Sequence, residues 1–587
     1  MLGTDGECQV EIAHGLANDC KGVRQITPPR PPVGYRVPFT STCIYDYPDV
    51  HGHVTPAQQR RVMEIATGQS APRPRPVESR QPSTGEVWRT FTTASSDEVQ
   101  RVVAAARAAQ PGWVALPLGV RLQMLRRFHE LVYLRRAEIA DLLTREVDKP
   151  AAEALSTEVA FVLDQVRFLI KAVPRLIRSP WFGSASLGLS RKRLRITHEP
   201  YGVVGIISPW NYPFMLACSR ILPALATGNA VVFKPSELTP SIGELTHQLL
   251  LDAGVPGDVI GLVQGDGHVG ATLAAAPVDK VFFTGSVASG RSVAMACATR
   301  LVPCGLELGG SDAAIVLADA DLALAASGLA WGRFTNAGQS CVAPKRLFVE
   351  DAVYDAFLSA LVGVVQKLRT GSGTDDATDA GAVIRPEFRA VLESQRDDAI
   401  TRGARVVATA PAGNANVFPP TVLVDVPSDS RALNEETFGP LMAVIRVRDA
   451  DEAITRANAS DFGLSASIWS RDVLRAGRLA ERLECGTVAI NDVLLTAGTP
   501  ELPHGGVKHS GIGRAQGMEG LAECVRTKGI IADRLSSWRQ GWWFGYSRAH
   551  RERVDAFLTL AHSTNVVARI AAIPNVLRML FRPERPL

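Results

Sequence analysis

Short runs of β-branched residues, spaced a helix length apart, constrain the fold of this chain more than any other feature. From Gly202 onward the runs are VVGIIS, AVVFKPSE, VIGLVQG, KVFFTGS and AAIVLAD, each bounded by Gly, Pro or Asn. Strands that alternate with helix-length segments pair in parallel, because the chain must cross over before it can add the next strand. A second group, LMAVIRV, ASIWS and GTVAIND, follows Gly439. The sequence therefore predicts an α/β protein with a parallel sheet wrapped by helices, followed by a second α/β domain.

The chain before the first of these runs has a mainly helical pattern. Ser95-x-x-Glu98 forms a capping box ahead of the alanine-rich VQRVVAAARAAQ. Thr55 followed by Pro56 is typical of a helix N-cap and first turn, so the folded core is expected to begin there. Residues 1–54 carry the cluster PPRPPVGYRVP and little periodicity, which predicts an extended or partly disordered extension.

Composition excludes several classes of function. The net charge is only +4, from 63 basic and 59 acidic residues, so nothing indicates a nucleic-acid partner. The nine cysteines contain no CxxC pair, which argues against a metal site or a disulfide scaffold and favours a reducing compartment. The amino terminus lacks a secretory signal, and the longest uncharged run, residues 200–219, is interrupted by prolines. We expect a cytoplasmic globular protein without a transmembrane helix.

Cys341 lies among small residues in FTNAGQSCVAPKR, residues 334–346, a segment that indicates a turn. A cysteine acts as a nucleophile only as the thiolate, so its pKa must be lowered by backbone donors, a helix N-terminus or a positive group. Gly338 and Ser340 would let a substrate carbonyl reach the sulfur. A packed core thiol explains the same pattern, so the segment alone leaves both interpretations open.

Two further motifs offer groups that suit acyl chemistry. In CGLELGG, Glu307 ends an apolar strand before a Gly-Gly bend, where its carboxylate could activate water. An ion pair at the strand edge would look the same. In PWNYP, Asn211 stands between two prolines that fix the backbone, as an amide donor to a developing oxyanion would require. An ordinary loop turn remains the alternative.

Several loops after strands could bind a nucleotide. FKPSE sets Lys234 and Glu237 at the carboxyl end of a parallel strand, where a carboxylate can accept bonds from ribose hydroxyls. FTGSVASG supplies Gly285 and Ser286 before a helix, a turn that could receive a pyrophosphate. EETFGP could present Glu436 to a ribose and Phe438 to a flat ring. The literal GxGxxG of GDGHVG, at Gly265, Gly267 and Gly270, lacks an acidic residue about twenty positions on, and we interpret it as a loop.

Taken together and in this order, PWNYP, KPSE, FTGS, LELGG, GQSC, EETFGP and PHGGVKHSGIGR resemble the aldehyde dehydrogenase superfamily over residues 55–533. The resemblance implies a Rossmann-type NAD-binding domain from residues 55–178 and 201–309, and an α/β catalytic domain from residues 310–526. It also implies a small β oligomerisation element from residues 179–200 and 527–534. Residues 535–587 would form a basic, aromatic and amphipathic tail.

The same resemblance implies the chemistry. Cys341 would attack an aldehyde, while Asn211 and the Cys341 N–H hold the oxyanion. After hydride transfer to NAD, Glu307 would deprotonate the water that hydrolyses the thioester. The implied cofactor contacts are Ser208, Pro209, Trp210, Lys234, Ser236, Glu237, Gly285, Ser286, Leu308, Glu436 and Phe438. NAD is favoured because the charge of Glu237 would repel a 2′-phosphate.

Two positions depart from the family pattern, and the implied substrate tunnel is mostly apolar. Ser311 stands where a lysine is common, and Arg220 replaces a lysine nine residues after Asn211; an arginine stays charged and cannot relay a proton. The late loop NDVLLTAGTPELPHGG offers no Lys or Arg before Lys508, so an anionic semialdehyde is disfavoured. The implied tunnel positions are Tyr212, Met215, Leu216, Ser340 and Val342, with Leu494 and Leu495 as further candidates.

These features predict oxidation of a medium or long aliphatic, or aromatic, aldehyde to its acid by a homodimer or homotetramer. A CoA-acylating dehydrogenase and a catalytically silent structural or membrane-associated binding protein are the alternatives. The aromatic and basic WRQGWWFGYSRAHRER is similar to the carboxyl-terminal region of fatty-aldehyde members. The segment after it suits an interfacial amphipathic helix, on a membrane or on a partner subunit.

Overall fold

The computed structural model describes residues 76–186, 189–411, 416–534 and 543–581. The extension predicted for residues 1–54 and the helix predicted to begin at Thr55 and Pro56 lie outside the described residues.

A six-stranded sheet, named here the first sheet, contains the predicted runs VVGIIS, AVVFKPSE, VIGLVQG and KVFFTGS. Its strands pair in parallel, except that Gly511–Ile512 lies antiparallel to Cys304–Glu307 at one edge. The strand order changes direction beside Val203–Ile207, and ligands of open α/β sheets bind at the carboxyl ends of strands at such a point. The order across the sheet is Gly511–Ile512, Cys304–Glu307, Lys280–Thr284, Val203–Ile207, Ala230–Lys234 and Ile260–Leu262.

Helices pack around the first sheet and form one large apolar core with it. The predicted capping box is present, since the Ser95 side chain accepts a hydrogen bond from the N–H of Glu98. The interpretation of GDGHVG as a loop is wrong beyond Asp266, because that side chain caps a helix that contains Gly267 and Gly270. The helices are Ser96–Ala115, Leu118–Leu134, Arg136–Val147, Ala151–Ala154, Ala160–Ile177, Pro213–Ala226, Pro240–Asp252, Gly267–Ala275 and Val287–Ala298, with a π-helical turn at Leu155–Val159.

A seven-stranded sheet, the second sheet, follows. All its neighbouring strands are parallel except the first pair. The strand order is Arg405–Thr409, Thr421–Val424, Leu441–Val447, Pro344–Glu350, Asp312–Val316, Ser465–Trp469 and Thr487–Ile490. The helices of this region are Leu322–Phe334, Tyr354–Val365, Pro386–Thr401, Arg431–Asn434, Ala450–Asn458 and Val473–Ala480. Gly517–Ala522 instead packs against Ala160–Ile177 and joins the core of the first sheet through Leu521. This mixed α/β architecture with parallel sheets is the fold class that the sequence predicts.

A three-stranded antiparallel sheet, the small sheet, joins two distant parts of the chain. Lys192–Pro200 lies between Trp181–Gly183 and Val525–Asp533. The outer edges of both flanking strands are unpaired within the described chain. Several apolar side chains of this sheet are exposed, namely Trp181, Phe182, Ile196, Ile530 and Ile531. Two further antiparallel pairs are present: the hairpin of Val77–Arg80 with Val87–Phe91, and Phe462–Gly463 with Val507–Lys508, which are distant in the chain.

The carboxyl-terminal residues form two helices rather than the single amphipathic helix that the sequence predicts. Arg548–His562 and Val566–Phe581 pack on each other around Ala556, Ala572 and Val576. The chain turns between them because the Asn565 side chain accepts from the N–H of Val567 and caps the second helix. Of the helices described, none combines the length and the apolar character that crossing a bilayer requires.

Candidate active site

Three segments meet beside the carboxyl ends of the first sheet. The loop after Val203–Ile207 carries Asn211, the strand Cys304–Glu307 ends in Glu307, and the loop before Pro344–Glu350 carries Cys341. The Asn211 amide donates to the carbonyl of Gln339, two residues before Cys341, at 3.0 Å. Glu307 lies near enough to Cys341 for its charge to raise the pKa of the thiol. The structure thus brings the three predicted catalytic residues together.

Close backbone packing and hydrogen bonds from a buried arginine hold the loop that carries Cys341 in place. Gly338 has a φ of +71°, and a Cβ there would lie 2.5 Å from the carbonyl carbon of Gly439. Glycine is therefore needed for both the backbone conformation and the close approach. The fully buried guanidinium of Arg333 donates to the carbonyls of Gly338, Thr437, Gly439 and Leu441, which ties this loop to the EETFGP loop.

The environment of the Cys341 thiol differs from the expected one. Burial raises its pKa to about 12, although the positive charge of Lys345 acts to lower it. The Lys345 ammonium is buried and donates to the backbone carbonyls of Ser340 and Cys341, at 3.0 and 2.6 Å. At neutral pH the thiol is protonated in this structure, so its use as a nucleophile requires a base to remove the proton.

Asn211 is held by a buried ion pair that the sequence analysis missed. The Lys149 ammonium donates to the Asn211 carbonyl at 3.0 Å and to Glu158 at 2.6 Å, and neither charged side chain is exposed. Glu158 also accepts from the N–H groups of Phe214 and Met215, at the start of the helix that follows Asn211. A carboxylate at a helix N-terminus is favourable, so this pair fixes both the loop and the helix.

Glu307 has one charged partner and one histidine nearby. Its Oε1 atom accepts from the Arg220 guanidinium at 3.1 Å, and its Oε2 atom lies 3.9 Å from Nε2 of His504. Burial raises the pKa of Glu307 to about 7, while Arg220 and Arg514 act to lower it. A carboxyl group whose pKa lies near neutrality can act as a general base at physiological pH. Sequence reasoning missed His504, which PHGG presents as an ordinary loop residue.

Most predicted cofactor contacts cluster at the carboxyl ends of the first sheet. Lys234 lies 3.2 Å from Glu237, which is half-buried, and the N–H of Ser208 donates to the Lys234 carbonyl. Ser236 accepts from the N–H of Leu238. Ser286 caps the helix Val287–Ala298, whose N-terminus can receive an anion. The N–H of Gly285 donates to the Glu307 carbonyl, and Leu308 packs where Gly290 leaves room.

The remaining predicted cofactor contacts lie on the Cys341 side. The rings of Trp210 and Phe438 meet edge to face, with centroids 5.4 Å apart. Pro209 lies in the same loop as Trp210, and both are partly exposed. The Glu436 carboxylate accepts from the N–H of Gly310 at 3.1 Å. The Glu237 carboxylate at the end of a parallel strand suits the hydroxyls of a ribose, and the N-terminus of the helix Val287–Ala298 suits a pyrophosphate. The residues present therefore fit a nicotinamide dinucleotide.

The predicted tunnel residues fall into two groups. Tyr212 hydrogen-bonds to Ser340, and Met215 and Val342 are buried while Leu216 is partly buried. Leu494 is partly buried, whereas half of the Leu495 side chain is exposed, so Leu495 does not join the buried group. The departure at Ser311 places a buried hydroxyl, without a hydrogen-bond partner among the described residues, where a lysine is common.

Comparisons with known proteins identify relatives across most of the chain. The family model described as the aldehyde dehydrogenase family matches residues 69–530. The chain is 38% identical over 478 residues to 4,4′-diapolycopene aldehyde oxidase of Methylomonas, covering 81% of this chain and 89% of that protein. It is 36% identical over 452 residues to the NADP-dependent succinate-semialdehyde dehydrogenase of Escherichia coli K12, covering 76% of this chain and 92% of that protein. The structure of an NAD-dependent aldehyde dehydrogenase from Sinorhizobium meliloti superposes with a TM-score of 0.76 at 35% sequence identity, covering 80% of this chain and 93% of that protein.

Proposed function

The chain belongs to the aldehyde dehydrogenase family and is an oxidoreductase that acts on aldehydes, and from that premise we propose that it oxidises an apolar aldehyde to its acid with NAD. The meeting of Asn211, Glu307 and Cys341 at the end of the first sheet carries this proposal. The relatives include an enzyme named for a diapolycopene aldehyde and another named for succinate semialdehyde, so the relatives alone do not select a substrate.

The charges around the site favour an apolar substrate over an anionic one. Lys149 is paired with Glu158, Arg220 with Glu307, and the Lys345 ammonium bonds two backbone carbonyls. A semialdehyde carboxylate would need a cation that is free to pair with it, because burying an unpaired charge is costly. The three cations named here already have internal acceptors, and the neighbouring Met215 and Val342 are apolar.

In the proposed reaction, Glu307 first takes the proton of the Cys341 thiol, because the thiol is neutral at physiological pH. The thiolate attacks the aldehyde carbon, and the Asn211 amide and the Cys341 N–H hold the oxyanion. NAD, when bound, accepts the hydride from this adduct, which leaves a thioester on Cys341. Once Glu307 has released the thiol proton to solvent, its carboxylate deprotonates a water molecule, whose oxygen attacks the thioester carbon. The C–S bond then breaks, which releases the acid and the Cys341 thiolate.

NADH formation with a series of aldehydes tests the proposal. We expect the rate to rise from acetaldehyde to dodecanal, to be substantial with benzaldehyde, and to vanish in Cys341→Ala. A preference for succinic semialdehyde would overturn the apolar assignment. Acyl-CoA formed in the presence of CoA would favour the acylating alternative, and no activity with any aldehyde would favour the silent binding protein.

The choice of NAD rests on Glu237. A carboxylate at the end of Ala230–Lys234 can accept ribose hydroxyls, and its charge repels a 2′-phosphate. We expect Glu237→Gln to raise the NADP to NAD ratio of kcat/KM by at least about tenfold, which corresponds to about 1.4 kcal/mol. An unchanged ratio would remove Glu237 as the selecting residue.

The small sheet is assigned to contact with a second copy of this chain. Its outer edges pair with no further strand among the described residues, and exposed side chains such as Phe182 and Ile531 give it an apolar surface. An apolar edge strand is a ready template for pairing with another chain. Sedimentation of the wild type should give a dimer or tetramer, and Ile531→Arg should shift it towards the monomer. A monomeric wild type would contradict the assignment.

The carboxyl-terminal helices are assigned to an anionic lipid surface, which would also supply an apolar aldehyde. Val566, Val567, Ile570, Ile573 and Leu577 are exposed and lie along one face of the second helix. The two helices contain five arginines against two acidic residues. An apolar face combined with positive charge is typical of interfacial helices.

Vesicle co-sedimentation tests the lipid assignment. We expect the full chain to bind vesicles that contain phosphatidylglycerol, and Ile570→Glu to abolish this binding. Val391→Glu is a matched control, because Val391 is exposed to a similar degree on a helix of the second domain. Loss of self-association in Ile570→Glu without any vesicle binding by the wild type would assign this face to a partner subunit instead.

A further inference from the structure

Glu307 needs an outlet for protons, because in the proposed reaction it takes one from the Cys341 thiol and a second from water. Its only charged hydrogen-bond partner among the described residues is the Arg220 guanidinium, bound to Oε1. An arginine stays protonated in proteins and cannot accept that proton. The Oε2 atom has no hydrogen-bond partner among the described residues although Glu307 is buried. The remaining oxygen therefore marks the side from which the proton must leave.

His504 lies on that side. Its Nε2 atom is 3.9 Å from Oε2 of Glu307, and the two side chains are only 5% and 7% exposed. Its Nδ1 atom also lacks a hydrogen-bond partner within the described chain. Oε2 of Glu307 and Nδ1 of His504 are thus both buried without a partner among the described residues, and Nε2 is the ring nitrogen that faces Oε2. Buried polar groups normally have partners, so this pair calls for a functional explanation.

The backbone holds His504 firmly in this position. Its N–H donates to the Ala515 carbonyl at 2.7 Å, and the Ala515 N–H donates back at 2.6 Å. Gly505 follows with a φ of +150°, and a Cβ at Gly505 would lie 3.1 Å from Oε1 of Glu307. The chain thus passes against the carboxylate, and only glycine fits there. A distance of 3.9 Å can be closed by a small movement or bridged by one water molecule.

We propose that His504 is the proton-transfer residue of this enzyme, which takes the proton from Glu307 and delivers it towards solvent. This inference rests on the proposed function of Glu307 as the base. Glu307 Oε2 removes a proton from the attacking water, whose oxygen bonds to the thioester carbon. Oε2 then passes the proton to Nε2 of His504, and the ring loses its other proton from Nδ1, which is buried, to a water molecule that carries it to solvent. The imidazole regains its starting tautomer by exchange with solvent.

The charges around the pair are suited to a transient carrier. Arg220 and Arg514 lower the pKa of His504 to about 4, with burial as the largest cause, whereas the pKa of Glu307 is about 7. The other charged or titratable groups that face the pair are Glu523 and Cys341. Glu307 therefore binds the proton roughly a thousandfold more tightly than His504. The His504 imidazolium therefore forms only briefly and releases its proton readily, so the proton is not trapped on the ring.

The test compares acylation with steady-state turnover in His504→Phe and His504→Gln, using the full chain with NAD. The first variant keeps a ring for packing, and the second keeps hydrogen-bonding groups without a titratable nitrogen. We expect the burst of NADH formation to stay within about twofold of the wild-type rate, because the first acylation places a single proton on Glu307 and is complete before that proton must leave. Steady-state turnover should fall at least about tenfold, with a burst near one NADH per site. Added imidazole should restore part of the turnover.

His509→Gln is the matched control, because His509 lies five residues after His504, just beyond the strand Val507–Lys508, is exposed, and contacts Arg291 rather than Glu307. It should behave as the wild type and gain nothing from imidazole. Turnover within twofold of the wild type in both His504 variants would overturn the inference, as would a loss that imidazole does not relieve. Failure of the wild type to form NADH from any aldehyde would instead overturn the proposed function.

Discussion

Replacing Arg220 by methionine should move the pH dependence of turnover, because Arg220 is the first of the groups that hold the pKa of Glu307 down. The two charges meet at 3.1 Å, and their side chains are only 4% and 7% exposed. With an effective dielectric constant of about 20, this attraction is on the order of 5 kcal/mol, or about four pKa units. Water can enter the space left by the guanidinium and solvate the carboxylate, which offsets part of this loss, so we expect a rise of about one to two units from the present value of about 7.

The direction of the change follows from the role proposed for Glu307. A base works in its ionised form, so activity falls as the pH drops through its pKa. At pH 7 about half of Glu307 is ionised now, whereas about 10% to 1% would be ionised at a pKa of 8 to 9. Turnover at pH 7 should therefore fall about fivefold to fiftyfold and recover towards alkaline pH. The assay is kcat for NADH formation from pH 5.5 to 10.

Arg220→Lys serves as the control, since it keeps a cation beside Glu307. Its acid limb should stay within about half a pH unit of the wild-type position. If the acid limb of the kcat–pH profile does not move in Arg220→Met, the reasoning is refuted, because burial alone would then set the pKa of Glu307. Equal shifts in both variants would show that guanidinium geometry matters more than charge. Retained NAD binding, followed by tryptophan fluorescence, would show that both variants fold.

Two further predictions concern the support beneath the site. Glu158→Gln removes the carboxylate that is paired with the buried Lys149 ammonium, so we expect the free energy of unfolding, measured by calorimetry, to fall by about 3–5 kcal/mol. Asp164→Asn is the control: its ion pair is exposed, so the free energy of unfolding should fall by less than about 1 kcal/mol. Gly338→Ala combines a positive φ with a clash against Gly439 and should lower kcat/KM more than tenfold. Gly363→Ala is the control and should leave kcat/KM unchanged, because Gly363 lies in a helix with open space around its Cα atom. If both variants lost kcat/KM equally, neither the clash nor the positive φ at Gly338 would explain the loss.

The strands of both sheets were largely predictable, because their apolar runs are short, buried and bounded by turn residues. Pro344–Glu350 was missed although it is central, since Lys345, Arg346 and Glu350 give it the pattern of a surface segment. Each of these charges is buried and bonded to partners remote in sequence or to backbone carbonyls. Local patterns do not reveal such partners, so a buried charged strand looks exposed.

The same limit applies to the candidate site. Its motifs are contiguous, so Asn211, Glu307 and Cys341 could be predicted as candidates from the sequence alone. The residues that act on them are scattered: Glu158 approaches Asn211 through Lys149, and His504 approaches Glu307 from nearly two hundred residues away. Only the three-dimensional structure shows these pairs. The raised pKa of Cys341 was likewise not predicted, because small neighbours do not reveal how deeply a thiol lies.

The strand Gly511–Ile512 beside Cys304–Glu307 has a consequence for how the enzyme is made. The edge of the first sheet next to Glu307 is completed only by residues that follow it by roughly two hundred positions. At a synthesis rate of about 5–20 residues per second, the ribosome adds that stretch in roughly 10–40 s. For most of this interval the nascent chain carries Cys341 but not the strand and loop that close around Glu307. On the role proposed for Glu307, a growing chain therefore cannot hydrolyse a thioester, and hydrolytic activity begins only when synthesis is nearly complete.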